Sequence, residues 1–192
     1  MTFSLMYAYS ENFILVLSHD EVVHLKCSML GKMPGDREDK FANLKLAYAY
    51  MCGHPGKKLL FMGQEFGQWN EWSEKRSLDW YLLEDESHKE LKDFTSACLK
   101  LNKNYRCLYE TDYNSEGFRW INANDKDNSV FSFIRISPDK KKHLLFVLNF
   151  TPVERPSHRI GVPIKGKYKL VLGDDMKNQQ KIIASKKGEC DG

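Results

Sequence analysis

Two short apolar runs, each ending in polar residues, constrain the fold of this chain most strongly. Residues 13–17 (FILVL) are followed by SHDE, and residues 57–63 (KKLLFMG) are followed by QEFGQ. The length and β-branching of the first run favour a strand buried on both faces, as in a parallel sheet. Between the runs, apolar residues recur at helical spacing from an N-cap at Asp36 to GHPG at 53–56. The order strand, helix, strand predicts a βαβ unit and a parallel sheet.

A long helix and then an all-β region are predicted downstream. Ser87 and Glu90 have the spacing of a capping box, and the apolar positions that follow predict a helix over 88–104. The character of the sequence changes near residue 107, and antiparallel strands are expected from there on, with Tyr168, Leu170 and Leu172 on the buried side of the last. The predicted strands are FRWINA (118–123), SVFSFIRI (129–136), HLLFVLNF (143–150), RIGV (159–162) and YKLVL (168–172).

The charge and the cysteines exclude several functional classes. The net charge is +3, and the basic residues are spread along the 192 residues, so no nucleic-acid partner is expected. Lys140 to Lys142 follow Ser-Pro-Asp and indicate a solvated turn. Five cysteines without C-x-x-C spacing predict reduced thiols in the cytoplasm. The N-terminal residues predict neither a signal peptide nor a membrane partner.

The stretch LSHDEVVH (17–24) is the main candidate for chemistry. It differs from the zinc motif H-E-x-x-H by one extra residue, so His19 and His24 would lie about 140° apart around a helix and could not share an ion. We therefore expect no metal and no cofactor. For an arbitrary His-Asp pair, His19 and Asp20 capping a turn or pairing with each other would be the usual interpretation. Their place at the end of a predicted parallel strand favours an active site instead.

Carboxylates, amides and aromatic rings near such strand ends suit carbohydrate binding. Sugar hydroxyls bond carboxylates, and the apolar faces of sugar rings stack on tryptophan. For Trp69 and Trp72, packing on the rim of a barrel is as well supported as stacking on a sugar. Arg76 and Asp79 are expected to form a structural ion pair.

Long stretches of the chain resemble bacterial 1,4-α-glucan branching enzymes of the α-amylase superfamily. The resemblance rests on LSHDEVVH, on residues 32–72 (KMPGDREDKF to GQEFGQWNEW), on RSLDWYLL (76–83), on VLNFTPV (147–153) and on GVP (161–163). It implies a (β/α)8 barrel followed by an antiparallel β-sandwich. It also implies an enzyme that cleaves α-1,4 bonds of glycogen, amylose or maltooligosaccharide and forms α-1,6 branches.

The resemblance assigns roles to individual residues. Asp20 matches the family's second aspartate, which stabilises the transition state by holding sugar hydroxyls, and His19 matches its neighbour. The remaining candidates for binding the glucan are Glu21, Glu65, Gln68 and Trp69.

The family's two bond-breaking acids are missing from this sequence. Neither a Gly-Phe-Arg-x-Asp stretch nor a Glu-Asp/Asn-Ser stretch is present, and GFRWINA at Gly117 lacks the aspartate. A barrel of this type needs about 250 residues, so residues 1–106 can supply roughly two of its βα units. The resemblance therefore implies that 1–106 are the C-terminal portion of a barrel and that 107–192 are a truncated β-sandwich. The chain alone is expected to be inactive.

Three residues depart from the family pattern. The family commonly has Pro at the position of Val16 and Gly at the positions of Leu25 and Cys27. If the loop at 25 and 27 needs positive φ, a side chain at either position strains it.

Two other hypotheses stay open. The chain could alternatively serve as a non-catalytic α-glucan-binding module. It could also be only marginally folded and self-associate through exposed barrel edges.

Overall fold

The computed structural model describes residues 3–6, 8–12, 14–173 and 181–183, and it contains three α-helices and seven strands within those ranges. Cys190, one of the five cysteines predicted to be reduced, lies outside the described residues. In chain order the elements are β1 (Ile14–Leu17), α1 (Met29–Lys32), α2 (Arg37–Gly53), β2 (Lys57–Leu60), α3 (Glu86–Asn104), β3 (Phe118–Asp125), β4 (Val130–Ile136), β5 (His143–Asn149), β6 (Lys167–Lys169) and β7 (Lys181–Ile183).

The predicted βαβ unit is confirmed. Strand β1 pairs in parallel with β2, from Ile14 opposite Lys57 to Leu17 opposite Leu60. The intervening helix α2 begins at a capping box, in which the Asp36 carboxylate accepts the Asp39 N–H at 3.0 Å and the Asp39 carboxylate accepts the Asp36 N–H at 3.4 Å. The helix ends just before His54-Pro55, as the GHPG signal predicts.

The expectation that the first strand is buried on both faces is wrong for this chain. Ile14 and Val16 are each 51% exposed, whereas Leu15 and Leu17 are half-buried. Burial alternates because the sheet of β1 and β2 has only two strands among the described residues, and packing reaches one of its faces.

The predicted second helix is present, but its N-cap is not Ser87. Helix α3 begins at Glu86, and the Asp85 carboxylate accepts the Ser87 N–H at 2.9 Å. Asp85 also pairs with Arg37 at 2.6 Å, which fixes the start of α3 against the start of α2. A carboxylate two residues earlier therefore takes the capping role that the S-x-x-E spacing assigns to Ser87.

The downstream region is antiparallel, as predicted. Strands β3, β4 and β5 form one sheet in that order, and β6 pairs with β7 in another. The predicted alternation at the last run is confirmed, since Tyr168, Leu170 and Leu172 are half-buried and the residues between them are exposed. The predicted strand at 159–162 is wrong, because that segment pairs with no neighbouring strand among the described residues.

Helices α2 and α3 and the three-stranded sheet share a hydrophobic core. Cys52 of α2 and Cys98 of α3 pack with Phe133 and Phe146, whose rings stack at 4.9 Å between centroids. Gly53 lies so close to this aromatic stack that an added Cβ would come within 2.7 Å of the Phe146 ring. The end of α2 can therefore approach the sheet only because residue 53 has no side chain.

A buried arginine connects the same two parts of the molecule. Arg135 of β4 is fully buried and donates to the Gly53 carbonyl at 2.9 Å, to the Gly117 carbonyl at 3.2 Å and to the Asp112 carboxylate at 2.8 Å. Asp112 is itself buried and lies 3.9 Å from the ammonium group of Lys58 in β2. Buried charges of this kind are tolerated because each has partners.

Candidate functional site

Two short 3-10 turns follow the carboxyl ends of β1 and β2. The turn His19–Glu21 comes directly after β1, and the turn Gln64–Phe66 comes shortly after β2. Because the strands are parallel, both turns lie at the same edge of the sheet, and we call them together the polar rim. The sequence-based expectation that the two polar tips lie at one edge is confirmed.

His19 and Asp20 form an exposed pair on the first turn. The His19 Nε2 lies 3.1 Å from the Asp20 Oδ1, and the side chains are 57% and 71% exposed. Ser18 caps the turn, since its Oγ accepts the Asp20 N–H at 3.4 Å. The two residues thus pair with each other, as the ordinary interpretation predicts, and their polar atoms also remain open to a solute.

Glu21 is held by a lysine of α1. Its carboxylate lies 3.1 Å from the ammonium group of Lys32 in α1, and the same ammonium donates to the Glu21 carbonyl. The Lys26 ammonium donates to the Asp20 carbonyl at 2.7 Å. These lysine contacts fix the backbone of the turn and leave the Asp20 carboxylate without a lysine partner among the described residues.

The second turn is bounded by two glycines with left-handed backbones. Gly63 has φ +87° and Gly67 has φ +68°, which brings the chain sharply out of β2. The backbone of the turn is anchored from below, because the Tyr48 hydroxyl donates to the Gln64 carbonyl at 2.8 Å and the Thr95 hydroxyl donates to the Glu65 carbonyl at 3.2 Å. The Glu65 side chain is half-buried above these anchors.

Burial and the charge of Glu65 together raise the pKa of the Tyr48 phenol far above its usual value. The phenol therefore stays protonated and keeps donating its hydrogen bond. We conclude that Tyr48 is a structural support for the second turn of the polar rim.

Gln64 and Gln68 differ in how their amides are used. The Gln68 amide donates to the Asn70 carbonyl at 3.1 Å and accepts the Asp79 N–H at 3.0 Å, so it organises the following loop. Gln64 is also buried, but its amide nitrogen and oxygen have no hydrogen-bond partner among the described residues. Sequence reasoning noted Gln64 only as a polar residue after the strand and did not single it out.

The two loop tryptophans pack against the molecule. Trp69 contacts Phe41 and His88 edge-on, with ring centroids 6.1 Å and 6.0 Å apart. Trp72 lies edge-on to Phe61 at 5.2 Å. Both rings are half-buried, so packing accounts for part of each ring and leaves part accessible.

The predicted ion pair between Arg76 and Asp79 is wrong. The Arg76 guanidinium donates to the Glu71 carbonyl at 2.6 Å, and the Asp79 carboxylate accepts from the Asn70 amide at 2.8 Å. Each charged group finds a closer polar partner within its own loop.

Glu71 holds the loop beside Asp20, a role that sequence reasoning missed. Its carboxylate accepts the Cys27 N–H at 2.8 Å, and this hydrogen bond, with those from Leu25 and Lys26, lowers the pKa of Glu71. Leu25 and Cys27, two departures from the family pattern, both have φ +67°. The expected left-handed backbone is therefore present at both positions. The contact joins residues 44 apart in sequence, so no local pattern signals it.

Across the described ranges, no group of three or more His, Cys, Asp or Glu residues could hold a metal ion. Among the same residues, no helix is long and apolar enough to cross a membrane.

Comparison with known proteins gives one consistent result. Residues 120–192 match the family model of the alpha amylase C-terminal all-beta domain. The whole chain is 52% identical over 198 residues to the 1,4-alpha-glucan branching enzyme GlgB of Butyrivibrio fibrisolvens, of which it covers 31%. It is 50% identical over 177 residues to the enzyme of the same name from Aquifex aeolicus, with 92% of this chain and 28% of that protein covered. The chain thus spans less than a third of the length of these curated relatives.

Proposed function

We propose, from the premise that this chain corresponds to a C-terminal part of the 1,4-α-glucan branching enzymes, that its polar rim contributes to an α-glucan site. In the whole cytoplasmic enzyme, the glucan is cleaved at an α-1,4 bond and the released chain is transferred to a 6-hydroxyl. Residues 1–106 are then the last part of a (β/α)8 barrel, and 107–192 belong to a β-sandwich.

The placement of Asp20 carries this proposal. A carboxylate at the carboxyl end of a parallel strand lies where barrels gather their catalytic groups. Asp20 is 71% exposed and His19 orients it, so the carboxylate is available to a sugar. A carboxylate can accept two hydroxyl hydrogen bonds at once, and such bonds strengthen as the oxocarbenium-like transition state forms. Asp20 then stabilises that transition state without attacking the sugar or donating a proton to it.

The bond-breaking step requires groups from the rest of the enzyme. Retaining transfer uses a nucleophile and a general acid whose carboxyl groups lie about 5 Å apart. The motifs that carry those two acids in the family do not occur in this sequence. Asp20 is therefore proposed to stabilise the transition state, and Glu21, Glu65 and Trp69 to bind and orient the glucan. Gln68, which the sequence also suggests, is buried with its amide engaged in the loop, so it is proposed to support these residues.

Two features support a larger barrel around β1 and β2. Ile14 and Val16 expose apolar side chains on a sheet face that further barrel elements would cover. The buried Gln64 amide would also gain partners from neighbouring strands, since buried polar groups are nearly always hydrogen-bonded.

Replacing the aspartate that corresponds to Asp20 with asparagine in an intact branching enzyme tests the role. The substitution keeps the shape and removes the charge, so kcat should fall by at least about 100-fold while the far-UV circular dichroism spectrum and Tm stay the same. The matched control is the position of Glu116, an exposed carboxylate of the β region, where glutamine should leave kcat unchanged. An unchanged kcat in the Asp20→Asn variant would refute the assignment.

Iodine staining of amylose tests the chain by itself. The purified 192-residue protein should leave the blue complex intact, because the two acids that break and form bonds are supplied elsewhere. A robust loss of colour would show that this polypeptide carries a complete active site of its own.

A further inference from the structure

We propose that Glu71 is a positioning residue, whose carboxylate holds the loop 22–27 so that the Asp20 carboxylate meets the glucan in the geometry of the transition state. The inference rests on the proposed function, because it concerns the role assigned to Asp20 there. Glu71 lies outside the set of residues that the resemblance assigns to the glucan, and it acts through the loop rather than on the sugar.

The loop that follows the Asp20 turn has an unusual backbone. His24 has φ +57°, and Leu25 and Cys27 both have φ +67°, so three residues other than glycine are left-handed within four positions. Side chains disfavour this conformation, and such a stretch persists only where surrounding contacts hold it. Residues 24–27 are all exposed, so burial of their side chains does not hold the loop.

The Glu71 carboxylate provides the restraint that burial does not. Its Oε1 accepts the Cys27 N–H at 2.8 Å, and this hydrogen bond, with those from the N–H groups of Leu25 and Lys26, lowers the pKa of Glu71. Successive N–H groups beside left-handed residues form a concave site that favours an anionic acceptor. The backbone of Glu71 is fixed in turn, because the Arg76 guanidinium donates to its carbonyl at 2.6 Å.

Two further contacts carry the restraint from the loop to the Asp20 turn. The Lys26 ammonium donates to the Asp20 carbonyl at 2.7 Å, so a residue held by Glu71 also holds the backbone of Asp20. The N–H of Trp72, the residue next to Glu71, donates to the Val22 carbonyl at 3.0 Å, immediately after the turn. Loss of the Glu71 carboxylate should therefore let the turn and its aspartate leave the productive position.

The alternative is that Glu71 stabilises the loop without any bearing on Asp20. A double-mutant cycle separates the two roles, because a residue that acts through Asp20 matters only while the Asp20 charge is present. A residue that only stabilises the loop lowers kcat by the same factor in both backgrounds.

The cycle is measured in an intact branching enzyme that has glutamate and aspartate at the positions of Glu71 and Asp20. Glu71→Ala should lower kcat by about 10-fold or more and change KM by less than about threefold, since small misplacements of a catalytic group are costly in the transition state. In the Asp20→Asn background, followed at high enzyme concentration, the same substitution should lower kcat by less than about twofold.

Two variants serve as controls for the chemistry of the contact. Glu71→Gln keeps an oxygen that can accept the Cys27 N–H, so its kcat should lie within about threefold of the wild-type value. Glu74→Ala removes an exposed carboxylate of the same loop, and it should leave kcat unchanged.

Hydrogen exchange of the 192-residue chain tests the contact apart from activity. Because residues 25–27 are exposed, their amides depend on the carboxylate for protection, and the Cys27 amide should exchange about 10-fold faster in Glu71→Ala. Glu74→Ala should exchange like the wild type. If Glu71→Ala loses the circular dichroism spectrum of the folded protein, Glu71→Gln replaces it in both experiments, with smaller changes in the same direction.

Three results would overturn the proposal. They are an unchanged kcat in Glu71→Ala, an equal fall of kcat in both backgrounds, and an unchanged exchange rate at residues 25–27. Each of them sinks this inference alone as long as Asp20→Asn lowers kcat. An unchanged kcat in Asp20→Asn instead refutes the proposed function, and the positioning role falls with it.

Discussion

At the scale of single residues, the sequence predicts the exposed polar residues of the polar rim but not the residues that hold the rim in place. His19 and Asp20 could be assigned to a strand end because the apolar run before them is short and uninterrupted. Glu71 could not be found in this way, since its contact with Cys27 spans 44 residues. The unpartnered amide of Gln64 also has no signature in the sequence, because burial depends on what packs around it.

The strained loop next to Asp20 yields one prediction. Leu25 has φ +67° and is 97% exposed, so its side chain makes almost no packing contacts that would offset the strain of the left-handed backbone. A residue other than glycine in the left-handed conformation destabilises the folded chain by roughly 1–2 kcal/mol. Glycine removes this strain, but its greater freedom in the unfolded chain offsets part of the stabilisation. Leu25→Gly should raise the free energy of unfolding by about 0.5–1 kcal/mol in urea titrations.

Leu99 provides the matched control for that substitution. It is also an exposed leucine, at 58%, but it lies inside α3. Leu99→Gly should lower the free energy of unfolding by about 0.5–1 kcal/mol. If both glycine variants are destabilised equally, Leu25 is not strained.

The buried guanidinium yields a second prediction at this scale. Arg135→Met removes three hydrogen bonds and leaves the Asp112 carboxylate buried without its closest cation. Breaking a buried pair from one side costs about 3–5 kcal/mol, which urea titration would register as a lower midpoint. Lys140→Met, which breaks an exposed pair with Glu116, should change stability by less than about 1 kcal/mol. Equal effects would show that the Arg135 network contributes no more than an exposed pair.

At the scale of elements, local signals predict helices more reliably than strands. The ends of α2 follow from Asp36 and GHPG because a cap and a breaker act on their own neighbours. The run RIGV has apolar residues but forms no strand, since a strand exists only where another backbone pairs with it. The exposure of one face of β1 likewise depends on how many other elements pack on the sheet.

The cap of α3 is testable in the same terms. Asp85→Ala should lower the free energy of unfolding by about 1 kcal/mol, because the Ser87 N–H loses its acceptor. Ser87→Ala should have a smaller effect, since Ser87 lies inside the helix. Urea titration measures the free energy of unfolding of both variants. A larger decrease in Ser87→Ala than in Asp85→Ala would show that the serine is the capping residue.

At the scale of the whole molecule, β1 and β2 leave apolar surface open to solvent. Ile14, Val16 and Leu59 are 51%, 51% and 39% exposed on a sheet of two strands. A small sheet with uncovered apolar residues and free edges is prone to pair with other chains. We therefore predict that the isolated chain self-associates through this sheet.

Light scattering of the purified chain measures that association. The average mass should exceed that of a monomer and rise with concentration, and Val16→Lys should reduce it by placing a charge on the sheet face. Leu99→Lys changes an exposed leucine on α3 and should leave the mass as it is. A monodisperse monomer in the wild-type chain would contradict the prediction.

The hydrogen bond from Arg135 to the Gly53 carbonyl also bears on recombination between related enzymes. The arginine belongs to the all-β region, whereas the carbonyl belongs to the residue four positions before β2 begins, and only glycine fits there without a clash. An all-β region transferred from another relative would thus pack correctly only if the chimera keeps this arginine, the aspartate at 112 and the glycine at 53. Chimera libraries should show these three positions inherited as one block.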